Sequence, residues 1–352
     1  MKVSSNPKAQ QDSVAALAKA WKGQGLSLLP GTLLTAGIAG TALVLSQASG
    51  LDSLNPLLIS VLVGIGLRQI IGVPQLTRPG IKFAMKRILR LAVILLGLRL
   101  SLAEVMAVGP VGLVIVATST VSTFYFTCWL GSQLKVGRRL TQLIAAGTSI
   151  CGASAIVATN AVVEGSEEDM TYAISTITGF GTLAMLTYPL LGNFLTLSPE
   201  TFGIWSGASV HEVAQVIATA FQAGPVSGAL ATVTKLSRVL LIIPILLSLG
   251  WQNRQSSTTQ KQSRSLPVPW FVVFFMLLIL VNSSGIVPET LQTSILKGNK
   301  LLLCMSLAAM GLETDLNHLW QLGTKPIYLA ALSWFFLAGV SLSMIAISYS
   351  SF

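Results

Sequence analysis

The sequence predicts an all-α polytopic membrane fold built from inverted repeats, and three observations carry that prediction. Hydrophobic residues fill 52% of the 352 positions and charged residues only 10%, against roughly 25% charged in a soluble domain. Apolar runs of about 20 residues, the length that crosses a bilayer as a helix, recur along the chain. Two of them are interrupted by glycines and hydroxyl residues, a pattern tolerated at membrane depth only where protein or a water-filled cavity surrounds the exposed backbone. The low charge excludes a soluble enzyme, a nucleic-acid-binding module and a disordered chain.

Residues 8–22 place Val14, Leu17, Ala18 and Trp21 on one helical face beside Lys8, Lys19 and Lys22, so an amphipathic helix on the membrane surface is expected within a cytoplasmic segment 1–25. The stretch 1–26 lacks the apolar core and small-residue site of a cleaved signal. Spans then follow at Leu26–Gln47 and Leu54–Ile70, and the basic stretch that comes next carries Arg68, Arg78, Lys82, Lys86, Arg87 and Arg90, with its loop over 72–90. A span ending near Leu100 and another over Pro110–Leu130 lead to a second basic loop with Lys135, Arg138 and Arg139. Leu140–Val163 is the first interrupted segment, Met170–Gly192 a span, Thr201–Phe221 the second interrupted segment, and Ser227–Gly250 a span. A polar linker over 251–267 precedes Val268–Val287, Thr293–Leu312 and Pro326–Ser348.

The net charge of +10 gathers in the short loops at 72–90 and 135–139 and in the linker, the signature of cytoplasmic segments. The acids at 164–169 weigh little in orientation. Cys128, Cys151 and Cys304 lie far apart in apolar runs, so no disulfide framework, metal site or cofactor is expected.

Two internal repeats are visible. A shift of 214 pairs Lys86, Gly97, Leu98, Leu102 and Gly109 with Lys300, Gly311, Leu312, Leu316 and Gly323. A shift of 60 pairs Gly147, Ser149, Ala158 and Thr159 with Gly207, Ser209, Ala218 and Thr219, and closing a four-residue gap then pairs Thr176 and Thr178 with Thr232 and Thr234. If both interrupted segments cross, the chain has eleven spans. If both are re-entrant hairpins it has nine, entering from opposite sides. The second arrangement is favoured, because transporters commonly pair inverted repeats with substrate sites built from interrupted helices near the midplane.

The first interruption brings Gly147, Thr148, Ser149, Cys151, Gly152 and Ser154 to a tip. Free N–H groups at the start of the following half-helix would present partial positive charge to an anion, with serine hydroxyls adding donors. The competing explanation is close helix packing through small residues. The second interruption holds Ser206, Gly207, Ser209, His211, Glu212 and Gln215. Ionisable residues at membrane depth by default line a pathway or titrate, and histidine changes charge in the physiological range. Lys235 and Arg238 share a face of the next span and could offer positive charge to an anion or a counterion to Glu212. Lys297 and Lys300 are expected at the interface.

The runs Gly147-Thr148-Ser149-Ile150-Cys151-Gly152-Ala153-Ser154-Ala155-Ile156, Gly207-Ala208-Ser209-Val210-His211-Glu212-Val213-Ala214-Gln215-Val216 and Thr234-Lys235-Leu236-Ser237-Arg238, with Leu95-Leu96-Gly97-Leu98-Arg99-Leu100, resemble those of a bacterial membrane family labelled sulfate exporters. That family is grouped with the cation-proton antiporter and bile-acid symporter superfamily. The resemblance spans nearly the whole chain after position 26. It implies a moving core domain over 138–250 between scaffold bundles at 26–131 and 268–348, a bacterial inner-membrane location and a homodimer through the scaffold.

The expected function is secondary active transport of a small anion, with sulfate or sulfite export implied by the resemblance. The anion would sit between the two tips, with Lys235 and Arg238 supplying positive field and His211 and Glu212 coupling protons. A sodium-coupled symporter of organic acids, with Glu212, Gln215 and Asn160 as sodium ligands, is the alternative within transport, and a non-transporting sensor the alternative outside it. An enzyme is not expected, since the two histidines, His211 and His318, are far apart in sequence. The partners are the bilayer, the anion and a coupling proton or sodium ion, with no nucleic acid.

Overall fold

A computed structural model describes the backbone of residues 7–48, 55–254, 270–314 and 324–349, and their side chains except at 7–26, 48, 103–105, 107, 108, 252–254 and 349. Among the described residues the chain is helical, without strands. The larger portion of the predicted linker, 255–267, lies outside the described residues, as does His318.

Helix α1 (Pro7–Ala48) is continuous, so the helix expected separately at 8–22 is the opening stretch of the helix that contains the first span. Asn55 caps α2 (Pro56–Ile70) by accepting from the Leu57 N–H at 3.0 Å, with Pro56 at the first helical position. The basic loop expected over 72–90 is a loop only to Thr77. Helix α3 (Arg78–Phe83), a π-helical turn (Ala84–Ile88) and α4 (Leu89–Leu96) carry the chain on as helix. Arginine and lysine are good helix formers, and their long stems let the charged heads reach out from an apolar helix.

Helix α5 (Leu102–Gln133) breaks at Gly109, whose φ of +61° interrupts the helical backbone just before Pro110. It leads into α6 (Arg138–Ala146), a π-helical turn (Gly147–Cys151) and α7 (Ala153–Val163). Ser166 then starts α8 (Glu167–Phe194) with a capping box to Asp169, and three acids fill its first turn where the helix dipole favours them. Helices α9 (Pro199–Ser209) and α10 (Val213–Ala220), a 3-10 turn (Phe221–Ala223), α11 (Pro225–Leu240) and α12 (Ile242–Arg254) complete the middle of the chain. Helices α13 (Trp270–Ser283), α14 (Glu289–Glu313) and α15 (Thr324–Tyr349) close it. Among the described residues, six stretches are long and apolar enough to span a bilayer: Ser27–Gln47, Gly109–Gln133, Glu167–Phe194, Pro225–Trp251, Glu289–Glu313 and Thr324–Ser348.

Both interrupted segments fold back on themselves. Gly165, just beyond α7, faces the Leu143 side chain of α6, so the two arms are antiparallel. Gly131 at the end of α5 faces Thr141, and Gly250 in α12 faces Val162, which puts both open ends of the first hairpin at one end of the bundle, beside the 134–137 loop. In the second segment Gly203 meets Ser227 and Gly207 meets Ala231. Helices α9 and α11 are thus parallel, and α10 returns between them. Gly192, near the end of α8, meets Phe202, and α8, about 42 Å long at 1.5 Å per residue, separates this open end from that of the first hairpin. The hairpins therefore enter from opposite ends.

The repeats are legible in the element boundaries. The second arms, Ala153–Val163 and Val213–Ala223, coincide at both ends under the shift of 60. The shift of 214 shows in contacts: Gly97 meets the backbone of Phe275 and Gly311 that of Val61, so equivalent positions exchange partners. Packing sorts the helices into two groups. Helices α1 to α4, α13 and α14 pack among themselves, joined where Gly64 and Gly311 bring α2 and α14 backbone to backbone. Helices α5 and α15 pack on each other and on the hairpins, so each of the blocks at 26–131 and 268–348 contributes one helix to the hairpin group.

Candidate functional site

The two tips meet beside the middle of α8 and α11. Lys235 and Arg238, both with 0% exposure, project from α11 one turn apart. The Lys235 ammonium donates to the carbonyl of Ile150 at 3.0 Å and to that of Val210 at 2.7 Å. The Arg238 guanidinium donates to the Ala208 carbonyl at 2.6 Å and to the carbonyls of Thr148 and Ser149. These carbonyls end the first arm of each hairpin, where the residues that would continue the ladder are missing and the helix dipole is negative. Each cation therefore bridges the two hairpins. It does so through repeat-equivalent positions: 150 with 210 for the lysine, 148 with 208 for the arginine.

The positive ends of the second arms are served by a carboxylate. Glu212 is the N-cap residue of α10, and its own N–H donates to Gln215 Oε1 at 3.1 Å. Its side chain reaches across to the first hairpin, where it accepts from the backbone N–H of Ala153, at the start of α7, and from the Thr178 hydroxyl at 2.9 Å. Space for this contact exists because position 152 is glycine. A Cβ there would lie 2.5 Å from Glu212 Cγ, and φ is +72°, in the left-handed region that glycine adopts without strain. Gln215 Nε2 anchors the second tip to α8 through the Thr178 carbonyl at 3.1 Å and the Thr182 hydroxyl at 3.4 Å; Gly181 gives it room.

Several predicted donors point elsewhere. The hydroxyls of Ser149, Ser206 and Ser209 donate to carbonyls one turn back, of Ala145, Phe202 and Trp205. Ser154 is exposed, on the outer side of the first tip. Gly147 and Gly207 are packing positions, against Ile156 and Ile177 in one case and Ala231 and Thr234 in the other. Asn160 lies eight positions beyond Gly152, about 12 Å along α7, where its amide faces the Met170 sulfur at 3.7 Å. The structure thus does not bring it to Glu212 and Gln215. Cys151 is buried within the first tip.

His211 is fully buried, and neither ring nitrogen has a hydrogen-bond partner. Its ring lies 6.5 Å from that of Trp334. The hydroxyls of Thr148 and Thr234 are likewise buried and unpartnered. Buried polar groups are ordinarily hydrogen-bonded, so a buried group without a partner marks a place suited to a water, an ion or a ligand. An aromatic belt closes this side. Tyr188 stacks on Trp205 at 4.1 Å, its hydroxyl accepts from Trp334 Nε1 at 3.2 Å, and Trp205 Nε1 donates to the Ala338 carbonyl at 3.0 Å.

Sequence reasoning misses Thr178, the Ala153 N–H and the Tyr188–Trp205–Trp334 belt as site groups. Thr178 has a signal in the repeat that pairs it with Thr234. The aromatic residues have none, because an apolar helix presents many aromatics that face lipid or core alike.

The family model described as Conserved hypothetical protein 698 matches residues 30–330. A UPF0324 membrane protein of Bacillus cereus is 36% identical over 306 residues, covering 86% of this chain and 90% of the relative. The UPF0324 inner membrane protein YeiH of Salmonella typhimurium is 34% identical over 329 residues, covering 90% and 94%. A UPF0324 membrane protein of Pseudomonas aeruginosa is 35% identical over 338 residues, covering 91% and 95%. No solved structure matches the chain.

Proposed function

This chain belongs to the Conserved hypothetical protein 698 family, the UPF0324 membrane proteins, and we propose that it is a secondary active transporter that moves a small anion across the membrane by alternating access. The observation that carries the reading is the meeting of two opposed hairpin tips around Lys235, Arg238 and Glu212. Holding ionised groups in a low-dielectric interior costs several kcal/mol each unless they are paired, and such groups in membrane proteins serve substrate and ion pathways. Among the described residues, these tips hold two cations against one carboxylate. The carbonyls at the helix ends offset some of the excess, and an anion would offset the rest.

In this reading the anion sits at the tips and takes as partners groups that stand there without any: the ring nitrogens of His211 and the hydroxyls of Thr148 and Thr234. This reading does not seat the anion at the N-terminus of α7, where Glu212 already lies. His211 and Glu212 serve proton coupling: the histidine is a titratable group with both nitrogens open, and the carboxylate joins both tips to α8. The sulfate and sulfite assignment, the superfamily placement and a homodimer rest on the resemblance of the tip motifs. The basic 134–137 loop, like the N-terminus, would face the cytoplasm of a bacterial inner membrane, in keeping with the name of the Salmonella relative.

The test is flux in proteoliposomes of purified protein, with radiolabelled sulfate and sulfite under imposed proton or sodium gradients. Gradient-dependent accumulation is the expected result, with its pH dependence abolished in His211→Ala. Absence of movement of these and related anions under every gradient would overturn the anion reading, and an unchanged pH profile in the variant would remove His211 from coupling.

A further inference from the structure

A second gathering of cationic side chains lies away from the tips, at the end of the bundle opposite the 134–137 loop. A cavity of about 450 Å³ opens there between the end of the second hairpin and the α1–α4/α14 group. Arg99 and Lys300 both line it, and among the described residues no carboxylate does. The family-pattern arginine and the repeat-matched lysine, which the tip site does not use, are thus brought together on one pocket.

The site is built rather than incidental. The backbone on either side of Arg99 is fixed by side chains from α13 and α14: Gln292 Nε2 donates to the Leu98 carbonyl at 2.6 Å, and Asn282 Nδ2 to that of Leu100 at 3.0 Å. The guanidinium sits 5.3 Å above the Phe221 ring, a cation–π contact that steadies its direction. Asn55 ties the same turn of the hairpin to α2 by donating to the Phe221 carbonyl at 3.0 Å. In the same lining, next to Lys300 in the chain, Asn299 is 2% exposed with an amide oxygen that has no partner, and an amide can turn either its oxygen or its nitrogen to a ligand. Leu57, Leu96 and Leu303 add apolar lining.

We propose that this cavity binds a small organic anion, an oxoanion head held by Arg99, Lys300 and Asn299 with a short apolar body against the leucines. At roughly 30 Å³ per water the volume exceeds what a bare inorganic oxoanion fills, and the leucines give such an ion no partners. The pocket walls come from both packing groups, so an occupant touches the hairpin turn and the α1–α4/α14 group together. The inference stands on the cavity and its lining and does not require transport.

Calorimetric titration of the full-length protein in phosphatidylcholine nanodiscs tests it, with pentanoate and sulfate as probes. Pentanoate is expected to bind at least about tenfold more tightly than sulfate, Lys300→Gln to weaken pentanoate about tenfold, the loss of one charge-assisted contact, and Lys297→Gln, outside the lining, to change it less than about twofold. Leu296→Trp, which fills the pocket from α14, is expected to abolish binding while keeping Lys300, so the outcome does not hang on one variant's folding. Equal affinity in wild type and Lys300→Gln, or sulfate binding as tightly as pentanoate, would overturn the proposal. So would loss of pentanoate binding when phosphatidylglycerol is added to the nanodisc, which would assign the cavity to a lipid headgroup. Anion flux without pentanoate binding would sink this site and leave transport standing; binding without flux would do the reverse.

Discussion

The two hairpin tips are repeats of one another, yet they hold unlike residues at the same place. Position 152 is glycine and position 212, its repeat equivalent, is glutamate, and the two are in contact. Where the first tip has no side chain, the second inserts one, and that carboxylate reaches the start of the first hairpin's second arm. Pairing is symmetric in the backbone, since Lys235 and Arg238 each take equivalent carbonyls from both tips. It is asymmetric in the side chains. A duplicated backbone can thus keep its two-fold arrangement while a single carboxylate and a single pair of cations serve both halves.

The largest blow to this arrangement should come from Arg238→Met, which leaves carbonyls of both tips without donors. Breaking such a buried network costs about 3–5 kcal/mol, read as a drop in the thermal midpoint of detergent-solubilised protein. Lysine at 238 should rescue it only in part, because the guanidinium serves three carbonyls from three separate nitrogens whereas an ammonium offers its donors from a single point. A wild-type midpoint in Arg238→Met would mean that the cations do not hold the tips together.

Next in size is Glu212→Ala, which strands the Ala153 N–H and the Thr178 hydroxyl at a cost of about 3 kcal/mol. Gly152→Ala tests the other half of the contact. A Cβ pressed against Glu212 at a left-handed backbone position should cost about 1–3 kcal/mol. In the double variant Gly152→Ala/Glu212→Ala the two losses should be well short of additive, because the clash disappears with the carboxylate. Full additivity would show that the two positions do not meet.

The finest discrimination uses the repeat-related threonines. Thr178→Val removes one hydrogen bond to Glu212, worth about 1 kcal/mol, whereas Thr234→Val removes a hydroxyl without a partner and should be neutral or slightly stabilising. Equal effects would erase the asymmetry between α8 and α11.

The hairpins, their opposed entry and the identity of the buried charges are legible in the sequence, because charges and interrupted runs are costly in an apolar chain and stand out against it. What the charges bind is not legible. Lys235 and Arg238 read as open cations, but their partners are backbone carbonyls, which every residue carries and no residue letter announces. The start of α7 reads as a free anion seat, and Glu212 occupies it from the other hairpin, a pairing fixed by the crossing of two tips and not by local spacing. The hydroxyls of Ser149, Ser206 and Ser209 read as ligand donors because nothing in sequence tells a serine bonded back to its own helix from one that points into a cavity. The basic stretch over 72–90 misleads for a related reason: its charge reads as loop, whereas arginine and lysine lengthen a helix as readily as they end a span.

Five hydrogen bonds run from two adjacent turns of α11 to the ends of both first arms. A rearrangement that keeps them cannot pull the tips asunder, so α11 ties both hairpins into one piece, like an axle through two wheels. Across the seam between the hairpin group and the helices that flank it, Asn55 and Arg99 hold Phe221, and a hydrogen bond and a ring contact are among the fastenings that a sliding motion there would have to undo.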